Sequence, residues 1–317
     1  MTKTSIVTGA CGFIGSHLVD DLLAHDYTVI GIDNLRTGTK ENVRSAMEND
    51  RFRLIVADIL DEDLIELVDE RSDSLFHLAA ISSVKKSIED PVQINDVNVR
   101  GTVSVLELAR KLEVKRFIFS SSAAIYGDPK EMPVSEEFHY HPLSPYAASK
   151  IAGEMYIHSY QESFGIDTTI LRYFNVYGPR QVYSEYSGVI SIFINQALVN
   201  SPITVEGDGH QTRSFIHVHD VVRATRLAGE LNEASGATIN ISGPDQVSIV
   251  DLAHHIKSDI DDCSSEITHT DARLGDVQDS IGKMERAHSI LGFTPEVPLD
   301  DGLRDTARWY RDRMGAK

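Results

Sequence analysis

The fold is decided by the segment Thr8-Gly9-Ala10-Cys11-Gly12-Phe13-Ile14-Gly15-Ser16-His17-Leu18. This segment follows a short apolar run at residues 4–8 and opens a helical pattern, so its glycines are predicted to lie in a turn between a strand and a helix. Glycines in such a turn allow a sharp bend and a close approach of the backbone to a pyrophosphate, whose charge the helix N-terminal amides meet. Because glycine-rich turns also occur as plain structural turns, the motif gains its meaning only from its surroundings.

Short apolar runs recur along the first part of the chain and alternate with helical patterns; they lie at residues 28–32, 53–56, 74–78, 116–120 and 168–172. Runs this short and continuously apolar are typical of parallel strands buried on both faces. Right-handed crossovers between such strands produce a sheet with helices on both sides. The sequence therefore predicts an α/β fold with a doubly wound parallel sheet.

The regular alternation loosens after about residue 176, where proline and glycine become frequent. Residues 214–218 and 237–242 still have the pattern of strands. We therefore expect a smaller α/β domain that is interleaved with the first one. The predicted division assigns residues 1–175 and 212–242 to a dinucleotide-binding domain, and residues 176–211 and 243–317 to a substrate domain.

Asp33 stands at the end of the second predicted strand, about 20 residues beyond the glycine turn, and Asn34 follows it. A carboxylate at this position accepts hydrogen bonds from the adenosine ribose and repels a 2′-phosphate, so NAD is favoured over NADP. Asp58-Ile59 and Leu78-Ala79-Ala80 also end predicted strands at this edge of the sheet. A helix N-cap is the structural alternative for Asp58. Cys11 is assigned no chemistry.

Tyr146 and Lys150 lie four residues apart, just after Pro145 at a predicted helix start, and so share one helix face. A phenol with a pKa of about 10 is a poor base at neutral pH, but a nearby ammonium and a nicotinamide ring would both stabilise the phenolate. Lys150 can also hold the nicotinamide ribose. The serine run that ends at Ser122 closes the fifth predicted strand, which places a hydroxyl at the same edge of the sheet.

Composition excludes several classes of protein. The 317 residues carry a net charge of −18, which argues against a nucleic-acid partner or an anionic membrane surface. The two cysteines, Cys11 and Cys263, have no CxxC spacing, so neither a disulfide framework nor a cysteine zinc site is expected. There is no apolar run of about 20 residues and no signal-peptide pattern at the start. We expect a soluble cytoplasmic protein.

With these motifs in place, the chain resembles the nucleotide-sugar epimerase and dehydratase branch of the extended short-chain dehydrogenases over nearly its whole length. It is most similar to UDP-glucose and UDP-N-acetylglucosamine 4-epimerases. The matching segments, in order, are TGACGFIGSHL, Asp33-Asn34, Asp58-Ile59, HLAA, residues 98–102 (NVRGT), SSSAAIYG, YAASK, LRYFNVYGPRQ and QTRSFIHVHDVV. The resemblance implies a Rossmann domain that binds NAD and a smaller domain that binds a nucleotide sugar.

The resemblance also implies roles for individual residues. The catalytic residues are Ser122, Tyr146 and Lys150. The residues that contact NAD are Gly9, Gly12, Phe13, Ile14, Gly15, Asp33, Asn34, Leu35, Thr37, Gly38, Asp58, Ile59, Leu78, Ala79, Ala80, Asn98, Tyr146, Lys150 and Phe174. Those that contact the UDP-sugar are Ser83, Ser122, Tyr146, Asn175, Arg213, Arg273 and Ser280.

The implied reaction is 4-epimerisation of a UDP-hexose. Tyr146, as a phenolate helped by Ser122, removes the proton of the sugar 4-hydroxyl while the C4 hydride passes to NAD; the 4-keto sugar then turns over and takes the hydride back on its other face. Relatives that dehydrate their sugar carry threonine, aspartate and glutamate where this chain has Ser122, Ala123 and Ala124. Without that acid pair nothing can expel the 6-hydroxyl group, which favours epimerisation.

On the substrate side, the resemblance places Asn175, Arg213 and Arg273 at the diphosphate, where the planar fork of arginine can pair with two oxygens. Ser214 departs from the aspartate that is common after this arginine. Ser280 is expected beside the 2-substituent of the sugar, and its small side chain predicts that UDP-N-acetylhexosamines are accepted as well as UDP-hexoses. Ser83 is a further candidate for contact with the sugar.

Several alternatives stay open. The nearest is another NAD-dependent nucleotide-sugar enzyme: a UDP-glucuronate epimerase or decarboxylase, a dehydratase or a 4-reductase. A non-catalytic NAD-binding sensor would show damage to the YxxxK or serine motif, and neither is damaged. No metal site is expected, although His217 and His219 are predicted to share one face of a strand. The helical stretches at 95–112 and 145–164 resemble those that pair in a homodimer, which is the expected assembly.

Overall fold

A computed structural model describes residues 2–68, 70–184, 188–272 and 277–315. Its strands are β1 Thr4–Thr8, β2 Thr28–Asp33, β3 Phe52–Val56, β4 Ser74–His77, β5 Arg116–Ser122, β6 Asp167–Tyr173, β7 Asn175–Tyr177, β8 Ile203–Glu206, β9 Thr212–His217, β10 Thr238–Ile241, β11 Gln246–Ser248, β12 Ile267–Thr270 and β13 Asp279–Ser280. Its helices are α1 Phe13–Ala24, α2 Leu64–Leu67, α3 Val84–Glu89, α4 Pro91–Asn95, α5 Gly101–Lys111, α6 Pro145–Phe164, α7 Val189–Leu198, α8 Val218–Glu230, α9 Ile249–Asp259, α10 Glu285–Leu291 and α11 Leu299–Gly315. The turn Asp96–Arg100 between α4 and α5 is π-helical.

Seven of these strands form one parallel sheet in the order β10-β6-β5-β4-β1-β2-β3. Apolar clusters cover both faces of this sheet: Ile6 belongs to one cluster and its neighbour Val7 to the other, because adjacent strand residues point to opposite faces. The predicted doubly wound parallel sheet is confirmed. The strand order reverses between β1 and β4, which is where ligands bind in sheets of this kind.

The later part of the chain builds two small sheets beside the large one. β9 pairs with β7, β11 and β13, and β8 pairs with β12. A third apolar cluster lies beneath them, between α7, α9 and α11. The chain returns to the large sheet at β10, so strands of the large and small sheets alternate along the sequence. The boundaries predicted for the two domains stay a prediction.

One local prediction is wrong. His217 and His219 do not share a strand face, because β9 ends at His217 and His219 lies in the first turn of α8. The backbone amide of His219 donates to His217 Nδ1 over 3.4 Å, so the strand's last side chain caps the helix. Helix α8 then buries Val221, Val222 and Thr225.

No helix within the described ranges has the length and apolar character needed to cross a membrane.

Candidate active site

The glycine turn joins β1 to α1 at the strand-order reversal. Gly9 has φ +72°, and a Cβ atom at Gly15 would lie 2.0 Å from the Gly9 carbonyl oxygen, so the turn and the helix start touch. Gly12, in an extended conformation, is the N-cap residue of α1, and no side chain caps this end of the helix. The first turn of α1 contains no acidic residue. The first-turn amides, including those of the half-buried Phe13 and Ile14, therefore present a positive helix end that suits a diphosphate.

Asp33 is held rigidly at the carboxyl end of β2. Its carboxylate accepts the backbone amides of Cys11 over 2.9 Å and Leu35 over 2.7 Å, which ties the strand end to the glycine turn. Burial raises the pKa of the Cys11 thiol to about 12, with the Asp33 charge adding to the effect, so this thiol stays protonated at neutral pH. Residues 37–38 lie against the same turn, since a Cβ atom at Gly38 would be 2.7 Å from the carbonyl carbon of Cys11.

Asn34 and Asp58 meet at the edge of β2 and β3, where Asn34 Nδ2 donates to Asp58 Oδ2 over 2.7 Å. Asp58 does not cap a helix: α2 begins only at Leu64, after Asp63, so the N-cap alternative is wrong. Ile59 is buried close to Gly101 at the start of α5. Asn34, which follows Asp33 in the chain, is therefore joined directly to Asp58, and the adenosine contacts assigned to these residues stay predictions.

The segment Leu78-Ala79-Ala80 packs against the glycine turn from the other side. The Ala79 amide donates to Thr8 Oγ1 over 3.3 Å, and a Cβ atom at Gly9 would lie 2.9 Å from the Ala79 nitrogen. Asn98, in the π-helical turn, is buried and its amide is committed to protein groups: it exchanges two hydrogen bonds with the backbone of Ile81 and donates to Ser149 Oγ over 3.0 Å.

Ser122, Tyr146 and Lys150 converge at the carboxyl end of β5. Helix α6 begins beside them because Ser144 accepts the Ala147 amide over 3.2 Å and Pro145 occupies the first turn. Ser122 Oγ accepts the Ala124 amide over 3.2 Å, so its hydroxyl proton stays available to the Tyr146 phenol, whose pKa Ser122 acts to lower.

The electrostatics of this group are dominated by burial. Burial raises the pKa of Tyr146, and the hydrogen bond from Ser122 acts in the opposite direction. Lys150 Nζ donates to the Ser120 carbonyl over 2.8 Å and lies 5.0 Å from the centre of the Phe119 ring. Burial lowers the pKa of Lys150 to about 8, with the Glu154 charge opposing the shift. The protein alone therefore keeps Tyr146 as a neutral phenol.

A buried hydrogen-bonded chain that we did not predict joins the glycine turn to α6. His77 connects Thr8 Oγ1 at 2.7 Å with Thr102 Oγ1 at 3.0 Å, and Thr102 donates onward to the Asn98 carbonyl over 2.6 Å. Because the Thr102 proton is used there, His77 Nε2 must be the donor and Nδ1 the acceptor. Asn98 then continues through Ser149, whose hydroxyl donates to the Tyr146 carbonyl over 2.7 Å. The histidine of the HLAA segment was the available signal.

The second unpredicted feature is a buried ion pair behind the serine strand. Arg172 contacts Glu154 through two hydrogen bonds of 3.0 and 2.7 Å, and both residues are almost fully excluded from solvent. Ser121 also donates to Glu154. The signal for this pair was the position of Glu154, four residues after Lys150 on the same helix face.

Three of the predicted substrate residues, Asn175, Arg213 and Ser280, lie on β7, β9 and β13 of the same small sheet. Asn175 Nδ2 donates to the Ser214 carbonyl over 3.0 Å, and Ser280 pairs in register with Arg213. Arg213 is buried, and it donates to the carbonyls of Thr212 and Val277 over 2.8 Å each. Arg273 lies outside the described residues.

Two further predicted residues have clear structural positions. Phe174 is buried with Tyr126 and Ile125, and its ring lies where a Cβ atom of Gly282 would be. Ser83 caps α3 by accepting the Lys86 amide over 3.1 Å, which is a structural role for a side chain that was predicted to contact the sugar.

Three buried histidines should make the fold sensitive to acid. Burial lowers the pKa of His17 and His77 to about 3 and that of His217 to about 4. In the unfolded chain these histidines bind a proton near pH 6.5, whereas in the folded protein they do so only at a lower pH. Their contribution to the free energy of unfolding is therefore fully present above about pH 6.5 and is lost as the pH falls towards 4. We expect His77→Gln to reduce the slope of unfolding free energy against pH by up to about 1.4 kcal/mol per pH unit between pH 4 and 6. Urea titration measures it.

The exposed His158 on α6 provides the matched control, since His158→Gln should leave that slope unchanged. An identical slope for His77→Gln and the wild type would show that His77 is not held neutral in the fold.

The comparisons with known proteins agree with this geometry. Residues 5–242 match the profile of the NAD dependent epimerase/dehydratase family. The chain belongs to this family. The resemblance inferred from the motifs is thereby confirmed, and so is NAD as the cofactor. The uncapped α1 terminus, the glycine turn and the oriented Asp33 carboxylate fit that cofactor, and they are the residues that would hold its diphosphate and ribose.

Individual members of the epimerase/dehydratase family match along their whole length. A putative UDP-glucose 4-epimerase of Methanocaldococcus jannaschii is 40% identical over 97% of this chain and 98% of its own. The UDP-N-acetylglucosamine 4-epimerase of Methanobrevibacter ruminantium, solved with UDP-N-acetylmuramic acid, is 35% identical with a TM-score of 0.94 and covers 99% of both chains. The UDP-glucuronic acid 4-epimerase of Bacillus cereus, solved with UDP-glucuronic acid and NAD, is 35% identical with a TM-score of 0.92 and covers 98% and 99%.

Proposed function

We propose that this protein is a UDP-sugar 4-epimerase that interconverts UDP-glucose and UDP-galactose and also accepts the corresponding N-acetylhexosamines. The observation that carries the proposal is that Ser122, Tyr146 and a buried Lys150 come together at the carboxyl edge of the sheet, where Ser122 acts to lower the pKa of the Tyr146 phenol. The 4-epimerase names of the relatives described above support the same reaction.

In this proposal Tyr146 Oη takes the proton from the sugar 4-hydroxyl and later returns it. Ser122 Oγ already receives the Ala124 amide, so its own proton is directed to the phenol oxygen and stabilises the phenolate as it forms. Lys150 contributes positive charge behind the phenol and is anchored by the Ser120 carbonyl. Bound NAD supplies a reversible acceptor for the hydrogen at C4 of the sugar.

The residues beside Ser122 favour epimerisation over dehydration. Ala123 and Ala124 form the turn that follows β5, so no acid stands next to Ser122 in the chain to protonate a leaving 6-hydroxyl group. Asn175, Arg213 and Ser280 lie together on the small sheet and are the proposed contacts for the diphosphate and the sugar. Arg213 is held by carbonyl groups, which fixes the position of its guanidinium.

Incubation with UDP-glucose, UDP-galactose, their N-acetyl forms and UDP-glucuronate, followed by NMR at C4, tests the proposal. We expect inversion at C4 of the hexoses and N-acetylhexosamines without accumulation of a keto sugar. Inversion of UDP-glucuronate alone would identify a uronate epimerase, and release of carbon dioxide would identify a decarboxylase. Either result would contradict the proposal.

A substitution at Ser280 tests the predicted tolerance of N-acetylated sugars. We expect Ser280→Tyr to lower kcat/KM for UDP-N-acetylglucosamine by about tenfold or more, because the bulky ring would crowd a 2-acetamido group, while UDP-glucose changes by less than about threefold. Ser280→Ala, which stays small, is the matched control. Equal losses for both sugars would place Ser280 away from the 2-substituent.

A homodimer is part of the proposal. Val84, Ile88 and Val92 are 46%, 65% and 70% exposed, and Met155 and Tyr156 on α6 are 45% and 42% exposed. Since α3 and α4 pack against α6, this apolar surface is continuous enough to be covered by a second copy. The exposed apolar residues on α6 lie within the predicted stretch at 145–164, whereas the others lie at 84–92 rather than within the predicted stretch at 95–112. A 35.1 kDa monomer in sedimentation analysis would contradict the dimer.

A further inference from the structure

In addition to the predicted residues Tyr146 and Lys150, helix α6 carries a buried acidic side chain, Glu154, one turn after Lys150. Tyr146, Lys150 and Glu154 are spaced four residues apart, so they stack along one face of the helix. All three are buried, and Glu154 is 0% exposed. A carboxylate is costly to bury, so its position needs compensation from the groups around it.

The surroundings of Glu154 show that it is ionised. Four hydrogen bonds reach its two oxygens, and every one of them comes from a donor: Nε and Nη2 of Arg172, the hydroxyl of Ser121 and the phenol of Tyr140. A carboxylate that only accepts hydrogen bonds carries its full negative charge. These donors come from β5, β6 and the loop before α6.

Arg172, the partner of Glu154, is fixed independently. Its Nη1 donates to the phenol of Tyr126 over 2.8 Å and to the carbonyl of Glu136 over 2.9 Å. Tyr126 in turn donates to Asn240 Oδ1 over 2.7 Å. The guanidinium of Arg172 is therefore anchored to the turn after the serine strand and to β10. These contacts hold the ion pair in one position.

Lys150 has few charged neighbours. Along α6 it faces Tyr146 and Glu154, and across the sheet it acts on His77, which burial keeps neutral. Its ammonium donates to the Ser120 carbonyl, a neutral group. Burial alone disfavours the charged amine, and Glu154 is the group whose charge works against that effect.

We propose that Glu154 is a positioning residue of the active site, which keeps Lys150 charged through its carboxylate and fixes the serine strand through Ser121. Glu154 touches neither substrate nor cofactor in this role. Its effect passes through Lys150, one helical turn away, and through Ser121, the neighbour of Ser122.

A double-mutant cycle measured as stability tests the electrostatic part without using any activity. The wild type, Glu154→Gln, Lys150→Met and the double variant are unfolded with urea at pH 7 and at about pH 9.5, on either side of the Lys150 pKa of about 8. At pH 7 we expect Glu154→Gln to destabilise the wild type more than it destabilises Lys150→Met. At the higher pH this difference should vanish, because a neutral Lys150 gains nothing from a carboxylate.

Tyr140→Phe is the matched control, since it removes a donor to the same carboxylate without changing any charge near neutral pH. Its destabilisation should be the same at both pH values. If Glu154→Gln does not fold because Arg172 is left unpaired, Arg172→Met is added to the two proteins that carry Glu154→Gln, so that the ion pair is removed as a unit and no buried charge is left unpaired. If Glu154→Gln destabilised the wild type and the Lys150→Met variant equally at pH 7, the proposal would be overturned.

The second readout rests on the proposed UDP-sugar epimerase activity. In Glu154→Gln the alkaline limb of kcat should move by about one unit towards lower pH, since Lys150 then loses its proton earlier, whereas Glu154→Asp should restore it. A uniform loss of kcat at every pH would show a purely structural role. If the wild type epimerises no UDP-sugar, the proposed function fails while the stability cycle still decides the role of Glu154.

Discussion

Tyr146→Phe is expected to lower kcat for UDP-sugar epimerisation by about 10³-fold while NAD affinity changes by less than about threefold. The substitution removes only the phenol oxygen, which is the group proposed to take the 4-hydroxyl proton. The ring itself is buried and should pack as before. Single-substrate kinetics and calorimetric titration of NAD measure the two quantities.

Tyr156→Phe is the matched control, because Tyr156 lies on the same helix but is 42% exposed. It should leave kcat within about twofold of the wild type, because it removes only a hydroxyl group and keeps the ring on the proposed dimer surface. Retention of more than about a tenth of the activity in Tyr146→Phe would mean that another group transfers the proton, and Ser122 would then be the next residue to replace.

Gly15→Ala is expected to abolish NAD binding and to lower the melting temperature. A methyl group there would lie 2.0 Å from the Gly9 carbonyl oxygen and 2.8 Å from its carbon, and both atoms belong to the backbone of the turn. Either α1 moves away from β1 or the turn opens, and in both cases the amides at the helix start leave their position. We expect at least about a hundredfold weaker NAD binding and a destabilisation of about 3 kcal/mol.

Gly315→Ala serves as the control for a glycine-to-alanine change within a helix, because a Cβ atom at Gly315 has no neighbour within 4 Å. Thermal unfolding and calorimetry should show the wild-type melting temperature and NAD affinity for it. Wild-type values for Gly15→Ala would mean that the turn can accept a side chain and that the helix end is not the diphosphate site.

Much of the architecture was predictable because it follows from local patterns. The apolar runs place β1 to β6 and β10 to within about two residues, since the strands buried on both faces must be continuously apolar. β3, at the edge of the sheet, is only partly buried. Pro145 and Gly165 mark the start and the end of α6, as their backbone preferences require. The one misplaced element is the start of α8, because the predicted strand was extended beyond His217. The imidazole of His217 caps the first turn of the helix, and hydrophobic periodicity does not reveal such a cap.

The candidate site divides in the same way. The spacing of Tyr146 and Lys150 and the serine at the end of β5 are short-range features, so the sequence was enough to nominate them, and the structure brings them together. Their roles stay predictions. What the sequence could not show is that burial raises the pKa of the Tyr146 phenol above its usual value, because this effect depends on how completely the fold excludes water from the side chain.

The sequence by itself determined the parallel sheet, the position of the glycine turn and the family. Only the tertiary structure decided which polar side chains are buried together. Glu154 lies on α6 and Arg172 on β6. His77 on β4 joins Thr8 at the end of β1 to Thr102 on α5. A local pattern can point to one member of such a pair, but it does not identify the partner, because a buried charge is stabilised by groups that the fold brings from distant parts of the chain.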